Sequence, residues 1–182
     1  MDWKIIEIKQ EWKEICRTFA NEVNGTTNYS DSNQPRSQRV LKNHYDGKIS
    51  EFAVSEAFGT EPPDVKIYKG KQKSWDADLN AGQEQYAVKS QTLDSFQRYS
   101  PSMTFQNGWK RKDKILSEPD APVIYCLLLE DRALVSPIFR IKELVFGPPK
   151  LEKLAGEKTV AYLEKSHPEL IKQARGIIKG KS

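Results

Sequence analysis

Residues 75–91 read WDADLNAGQEQYAVKSQ, two short runs that alternate apolar and polar residues on either side of Asn80, Ala81 and Gly82. This is the pattern of a β-hairpin, with glycine supplying the positive φ of the turn. Side chains alternate between the faces of a strand, so Trp75, Ala77 and Leu79 share one face while Asp76 and Asp78 share the other. In the second strand Ala87 and Lys89 lie on one common face. The turn fixes the pairing, and Asp78 and Lys89 can therefore converge.

A carboxylate and an ammonium on neighbouring strands form, at the least, a cross-strand ion pair. Phosphate hydrolysis can use both: the carboxylate would hold Mg²⁺, and the lysine would orient the attacking water or stabilise the pentavalent phosphorane. Here the sequence resembles the PD-(D/E)XK nuclease superfamily, whose motif is an Asp followed after a short hairpin by (D/E)-X-K. The match is Asp78, then Ala87-Val88-Lys89. The resemblance implies an α/β, restriction-endonuclease-like fold with a mixed central β-sheet flanked by helices. It also implies a metal-dependent DNA endonuclease, restriction-like or phage-type, that leaves a 5′-phosphate and a 3′-hydroxyl. Asp78, the carboxylate at position 87 and the backbone carbonyl of Val88 would bind Mg²⁺, with Mn²⁺ as substitute, and Lys89 would be catalytic.

Ala87 breaks that pattern, because a methyl group cannot coordinate a hard cation. Three readings stand beside one another. A ligand such as Glu has been replaced at position 87, giving an inactive variant; the carboxylate has migrated to Glu51 or Glu84; or the chain is a non-catalytic DNA-binding member of the same fold. Pro63-Asp64 spells the literal PD but opens the strand-like run at residues 65–68, so Asp78, directly across the hairpin from Lys89, is the better match. Asp76 is an auxiliary candidate.

The chain has 182 residues, enough for one domain with a substantial core, which we take to span residues 1–182. Its net charge of +4 and pI near 8.9 favour a polyanionic partner. Cys16 and Cys126 fit buried thiols of a reducing compartment rather than a zinc site or a disulfide scaffold. The N-terminus lacks the pattern of a signal peptide and no apolar run reaches spanning length, so a cytoplasmic protein is expected. His44 and His167 are too few for a histidine-metal nuclease motif, and His167, before Pro168, suits a helix start.

Helical spacing of Trp12, Ile15, Cys16, Phe19, Ala20 and Val23 predicts a first helix over residues 9–23, followed by a polar loop at about 25–38. Residues 36–58 predict a second helical stretch, with Gly47 marking a bend or a break. Residues 47–51, GKISE, resemble the segment that often contributes an acidic residue to the site in this superfamily, with Glu51 the candidate and Glu56 the alternative. Strands are predicted at residues 65–68, 75–79, 86–90 and 122–129, and an edge strand at 133–141 because of Pro137. A basic helical segment is predicted from about residue 150 onward.

The expected partner is DNA, double-stranded, and symmetrical cutting of both strands would require a homodimer. Candidate DNA contacts are Arg36, Arg39 and Lys42 ahead of Glu51, then Gln91 two residues after Lys89, and Lys110, Arg111 and Lys112 in an aromatic-basic stretch. Phe96, Tyr99, Phe105 and Trp109 in that stretch read as core residues of a connecting helix.

Overall fold

An unbroken apolar run needs apolar neighbours on both sides. All seven residues of β5 (Pro122–Leu128), PVIYCLL, are buried at the centre of a mixed sheet. The computed structural model describes residues 2–23, 38–67, 78–81, 84–109 and 112–180. β5 lies between β3 (Glu84–Thr92), which runs parallel to it, and β6 (Arg132–Arg140), which runs antiparallel. β1 (Lys4–Glu7) extends the sheet beyond β6 and β2 (Leu79–Ala81) extends it beyond β3, giving the order β1-β6-β5-β3-β2.

One face of this sheet is covered by α1 (Gln10–Val23) and α2 (Gln38–Phe58). Trp12, Cys16, Ile49 and Phe52 pack there against Ile124, Cys126 and Val135, and the Trp12 and Phe52 rings stack at 5.7 Å. The buried Cys16 and Cys126 thiols are each pushed up to about 12 by loss of water. The opposite face packs on a second, antiparallel sheet of β4 (Ser102–Gln106), β8 (Lys158–Tyr162) and β7 (Phe146–Gly147), in the order β4-β8-β7. It also packs on α4 (Leu163–Ser166) and α5 (Pro168–Ile178), with Trp3, Phe105, Tyr125, Leu163 and Ile171 in the same cluster. The molecule is α/β, with a mixed sheet and helices on both faces. Among the described residues no helix is long and apolar enough to cross a membrane.

Several sequence expectations are corrected. α2 runs unbroken through Gly47, since one glycine weakens a helix by only about 1 kcal/mol and Ile49, Phe52 and Ala53 anchor the turns that follow. β6 is interior, because β1 occupies its outer side. Proline is accommodated by a bulge: Ser136 and Pro137 together oppose Tyr125, and the Ser136 hydroxyl accepts the Tyr125 N–H at 3.0 Å. Residues 65–67 join no ladder. The C-terminal segment is helical only from Leu163, for Val160 and Tyr162 lie in β8 and Leu154 ends a 3-10 turn. KTVAY pairs along its whole length with β4 and buries Val160 and Ala161, so ladder pairing wins there over the longer helical pattern. Phe105 belongs to β4, and Trp109, 86% exposed, is no core residue. His167 does start α5, as its N-cap before Pro168.

Residues 25–37, Arg36, Asp76, Gly82, Lys110 and Arg111 lie outside the described residues, as do residues 75–77 of the expected strand and the side chain of Arg39.

Candidate functional site

Among the described residues β2 pairs with β3 as far as Tyr86, opposite Leu79. Past that point Asp78 takes the place of a strand. Its N–H donates to the Tyr86 carbonyl at 3.1 Å, and its Oδ2 accepts the Val88 N–H at 2.7 Å. Backbone groups point to alternate sides along a strand, so the Val88 carbonyl lies on this same edge. The hairpin thus delivers Asp78 to the edge of the strand that carries Lys89, an edge with no strand partner past Asp78 among the described residues.

Lys89 emerges on the face of the second sheet. Its Nζ lies 3.1 Å from Asp113 Oδ2 and 4.6 Å from the centre of the Phe105 ring. Asp113 is itself fixed, since its Oδ2 accepts the Gln106 N–H at 3.1 Å and its own N–H donates to the Gln106 carbonyl at 3.0 Å. The ammonium is therefore held by a carboxylate whose position the backbone of β4 sets.

From the other face α2 contributes Lys48 and Glu51, one helical turn apart. Lys48 Nζ lies 2.6 Å from Glu51 Oε2 and donates to the Asp64 carbonyl at 2.9 Å, with both side chains largely buried. Burial, then the neighbouring charge of Asp78, raises the Glu51 pKa to about 8, with Lys48 opposing and Asp64 adding a smaller push upward. Asp78 is raised by loss of solvent on its inner side although its surface stays exposed. Lys89, the Val88 N–H and Lys48 oppose that rise, and Asp113 adds to it. The charge of Asp78 on the strand edge thus disfavours ionisation of Glu51 on the helix, and two lysines attend the two carboxylates.

The sequence candidates divide accordingly. Asp78, Val88, Lys89 and Glu51 come together. Ala87 is half-buried and packs against the inner cluster of Phe105 and Tyr125. Glu84 is turned to the Tyr86 hydroxyl and to Arg140, and exposed Glu56 pairs with Lys9 at 3.0 Å, so neither joins the site. Asp64 closes a local turn by accepting the Lys66 N–H at 2.8 Å, while its charge still reaches Glu51. Gln91 is a correction. It is only 7% exposed and holds four hydrogen bonds: from the Tyr125 hydroxyl and the Ser102 N–H, and to the Ser100 carbonyl and Ser95 hydroxyl. No capacity remains for a base. Lys42 is exposed and paired with Asp46 at 2.5 Å, and Lys112 is exposed in a bridge with Asn107.

Sequence reading missed Lys48 and Asp113. Lys48 carries a usable signal, since it sits three residues before Glu51 on one helix face. Asp113, within a run of lysines, reads as a solvated charge. Among the described residues no three His, Cys, Asp or Glu side chains gather closely enough to hold a metal ion on their own. No family model, curated protein or solved structure matches the chain.

Proposed function

We propose that this protein is a Mg²⁺-dependent deoxyribonuclease of restriction-endonuclease-like fold, in which Glu51 supplies the carboxylate that Ala87 cannot. The observation that carries this reading is Asp78 held on the edge of β3, with Lys89 beside it and its charge reaching Glu51. Hairpin β2–β3 beside a parallel central strand, with α2 packed across one face, supports the fold assignment.

The donor set suits Mg²⁺. That ion is ordinarily held by one or two carboxylates, keeps several waters and takes further oxygens from a substrate phosphate, so an all-protein cage is not required. Glu51, Asp78 and the Val88 carbonyl would hold it, and Glu51, whose charged form burial and Asp78 disfavour, gains from a divalent charge. Bound there, the ion would polarise the phosphoryl group and make a coordinated water more acidic.

The chain's own groups do the rest. Asp113 and the Phe105 ring restrain the Lys89 ammonium, so it can stabilise charge developing on the phosphoryl oxygens or orient the attacking water without searching for its position. Lys48 partly offsets the charge of Glu51 and ties the helix to the Asp64 carbonyl, which keeps Glu51 aimed at the site.

Nicking of supercoiled DNA and digestion of single-stranded DNA, in Mg²⁺ and in EDTA, test this. Cleavage should need the metal and fall at least about 100-fold in Glu51→Gln and in Lys89→Ala. Ala87 favours the second reading, a DNA-binding member without activity. Salt-sensitive DNA binding with no metal-stimulated cutting by the unaltered chain would establish that reading and sink the first.

A further inference from the structure

The edge of β3 that carries Asp78 continues past Val88 into an open cleft of about 710 Å³. Ser90 and Thr92 line it, following Val88 at the two-residue period, so the cleft begins where the carboxylate pair ends. Its walls come from separate elements: Lys42 from α2, Arg98 from α3 (Leu93–Tyr99), Thr104 from β4, and Lys150 and Tyr162 from the second-sheet side.

Three cations face this space beside the carboxylates Asp46 and Asp94, and none of the three is committed to a deep interaction. Lys42–Asp46 and Arg98–Asp94 are ion pairs whose basic partners are largely exposed, the kind that water already weakens and a phosphate can replace. Lys150 donates to the Ser100 hydroxyl at 2.9 Å, and among the described residues no carboxylate pairs with it. Tyr99 and Tyr162 present ring surface in the same cleft. Phosphate-seeking cations interleaved with aromatic rings along a groove are what a nucleic-acid strand with exposed bases requires. The size of the cleft suits a strand with exposed bases: it lies in the range that holds one small ligand, about 300–1,000 Å³, room for about one or two unstacked nucleotides.

We propose that this cleft receives the unpaired strand of the substrate where it leaves the Glu51–Asp78 edge, making the substrate a single strand or a duplex with an unpaired stretch beside the cut. The proposal rests on the nuclease reading above and narrows it, replacing the expectation of a fully paired substrate. A site that reads one unpaired strand cuts one strand at a time and needs no second copy of the chain.

The test is fluorescence anisotropy in EDTA, where nothing is cut, with a short labelled oligothymidylate and a duplex of equal length. The protein is compared with Lys150→Ala and Arg98→Ala, whose unchanged thermal melting shows that they remain folded. The single strand should bind at least about tenfold more tightly than the duplex, a stacking-scale preference. Each variant should weaken single-strand binding and flatten the slope of log K against log salt by about 0.7, the signature of one lost phosphate contact. Equal affinity for duplex and single strand, or variants that leave affinity and slope unchanged, overturns the cleft assignment. Failure of the nuclease reading looks different: single-strand binding with the expected slopes, but no cleavage of either DNA once Mg²⁺ is added.

Discussion

Gln91 joins three parts of the molecule through one buried amide, since its partners lie on β5, on α3 and at the junction into β4. Gln91→Ala would leave the Tyr125 hydroxyl and the Ser102 N–H without this acceptor, and each buried orphan costs about 1–3 kcal/mol. Chemical denaturation should show a loss of several kcal/mol, whereas a residue that only touched DNA would change affinity and leave the midpoint alone. Ser100, next in this network, sits at φ 70 and ψ 158, a region open essentially to glycine. Its carbonyl accepts from Gln91 and its hydroxyl from Lys150, so the neighbours hold it there. Ser100→Gly should relieve about 1 kcal/mol or more of backbone strain and raise the melting temperature, since the contact to Lys150 that it removes is exposed. Asp78 and Lys89 are legible in the sequence because a hairpin is local: the turn alone decides what faces what. Lys48 reaches the site through helix packing and Asp113 through a second sheet, and no spacing rule ties either residue to Lys89. The burial of Gln91 is hidden from the sequence for a related reason. Alternation assigns a residue to a face, but it cannot say that another sheet covers that face.

At the scale of elements, β5 follows from sequence because it is an unbroken apolar run and α1 because its helical period is clean, while β3 follows from the hairpin turn that precedes it. Errors fall where two rules compete. Pro137 argues for an edge strand only if the proline needs a free edge, and the bulge at Ser136 removes that need by supplying a hydroxyl to the Tyr125 N–H. Ser136→Ala should accordingly cost about 1–3 kcal/mol in unfolding measurements, by leaving that buried donor without a partner. Gly47 argues for a break only if the flanking turns lack anchors of their own. A methyl group added at this position would meet nothing within 4 Å. Gly47→Ala should therefore stabilise α2 by up to about 1 kcal/mol, raising the melting temperature without touching the site.

For the molecule as a whole, the pair of carboxylates ties stability to pH and to metal in opposite ways. Glu51 has a pKa near 8 in the folded protein and an ordinary 4.5 without it. Between those values the folded chain binds the proton and the unfolded chain has lost it. The unfolded state therefore holds fewer protons there, and stability must fall as pH rises through the window. That contribution is fully present below about pH 4.5 and gone above about pH 8. Asp78 and Asp46, also raised by burial, act in the same direction, so the comparison with Glu51→Gln isolates the one group. In EDTA the melting temperature should decline from pH 5 to pH 8, and Glu51→Gln should flatten much of that decline. Mg²⁺ reverses the balance, because it binds the deprotonated pair. Below pH 8 it must first displace the Glu51 proton, so its apparent affinity should grow by up to about tenfold per pH unit and level off above pH 8. Mg²⁺ should consequently raise the melting temperature at pH 8, do little at pH 5, and do little at either pH for Glu51→Gln. A shift of equal size at both pH values would mean that Mg²⁺ binds elsewhere. A pH-dependent shift that survives Glu51→Gln would take Glu51 out of the metal site and leave Asp78 to be replaced next.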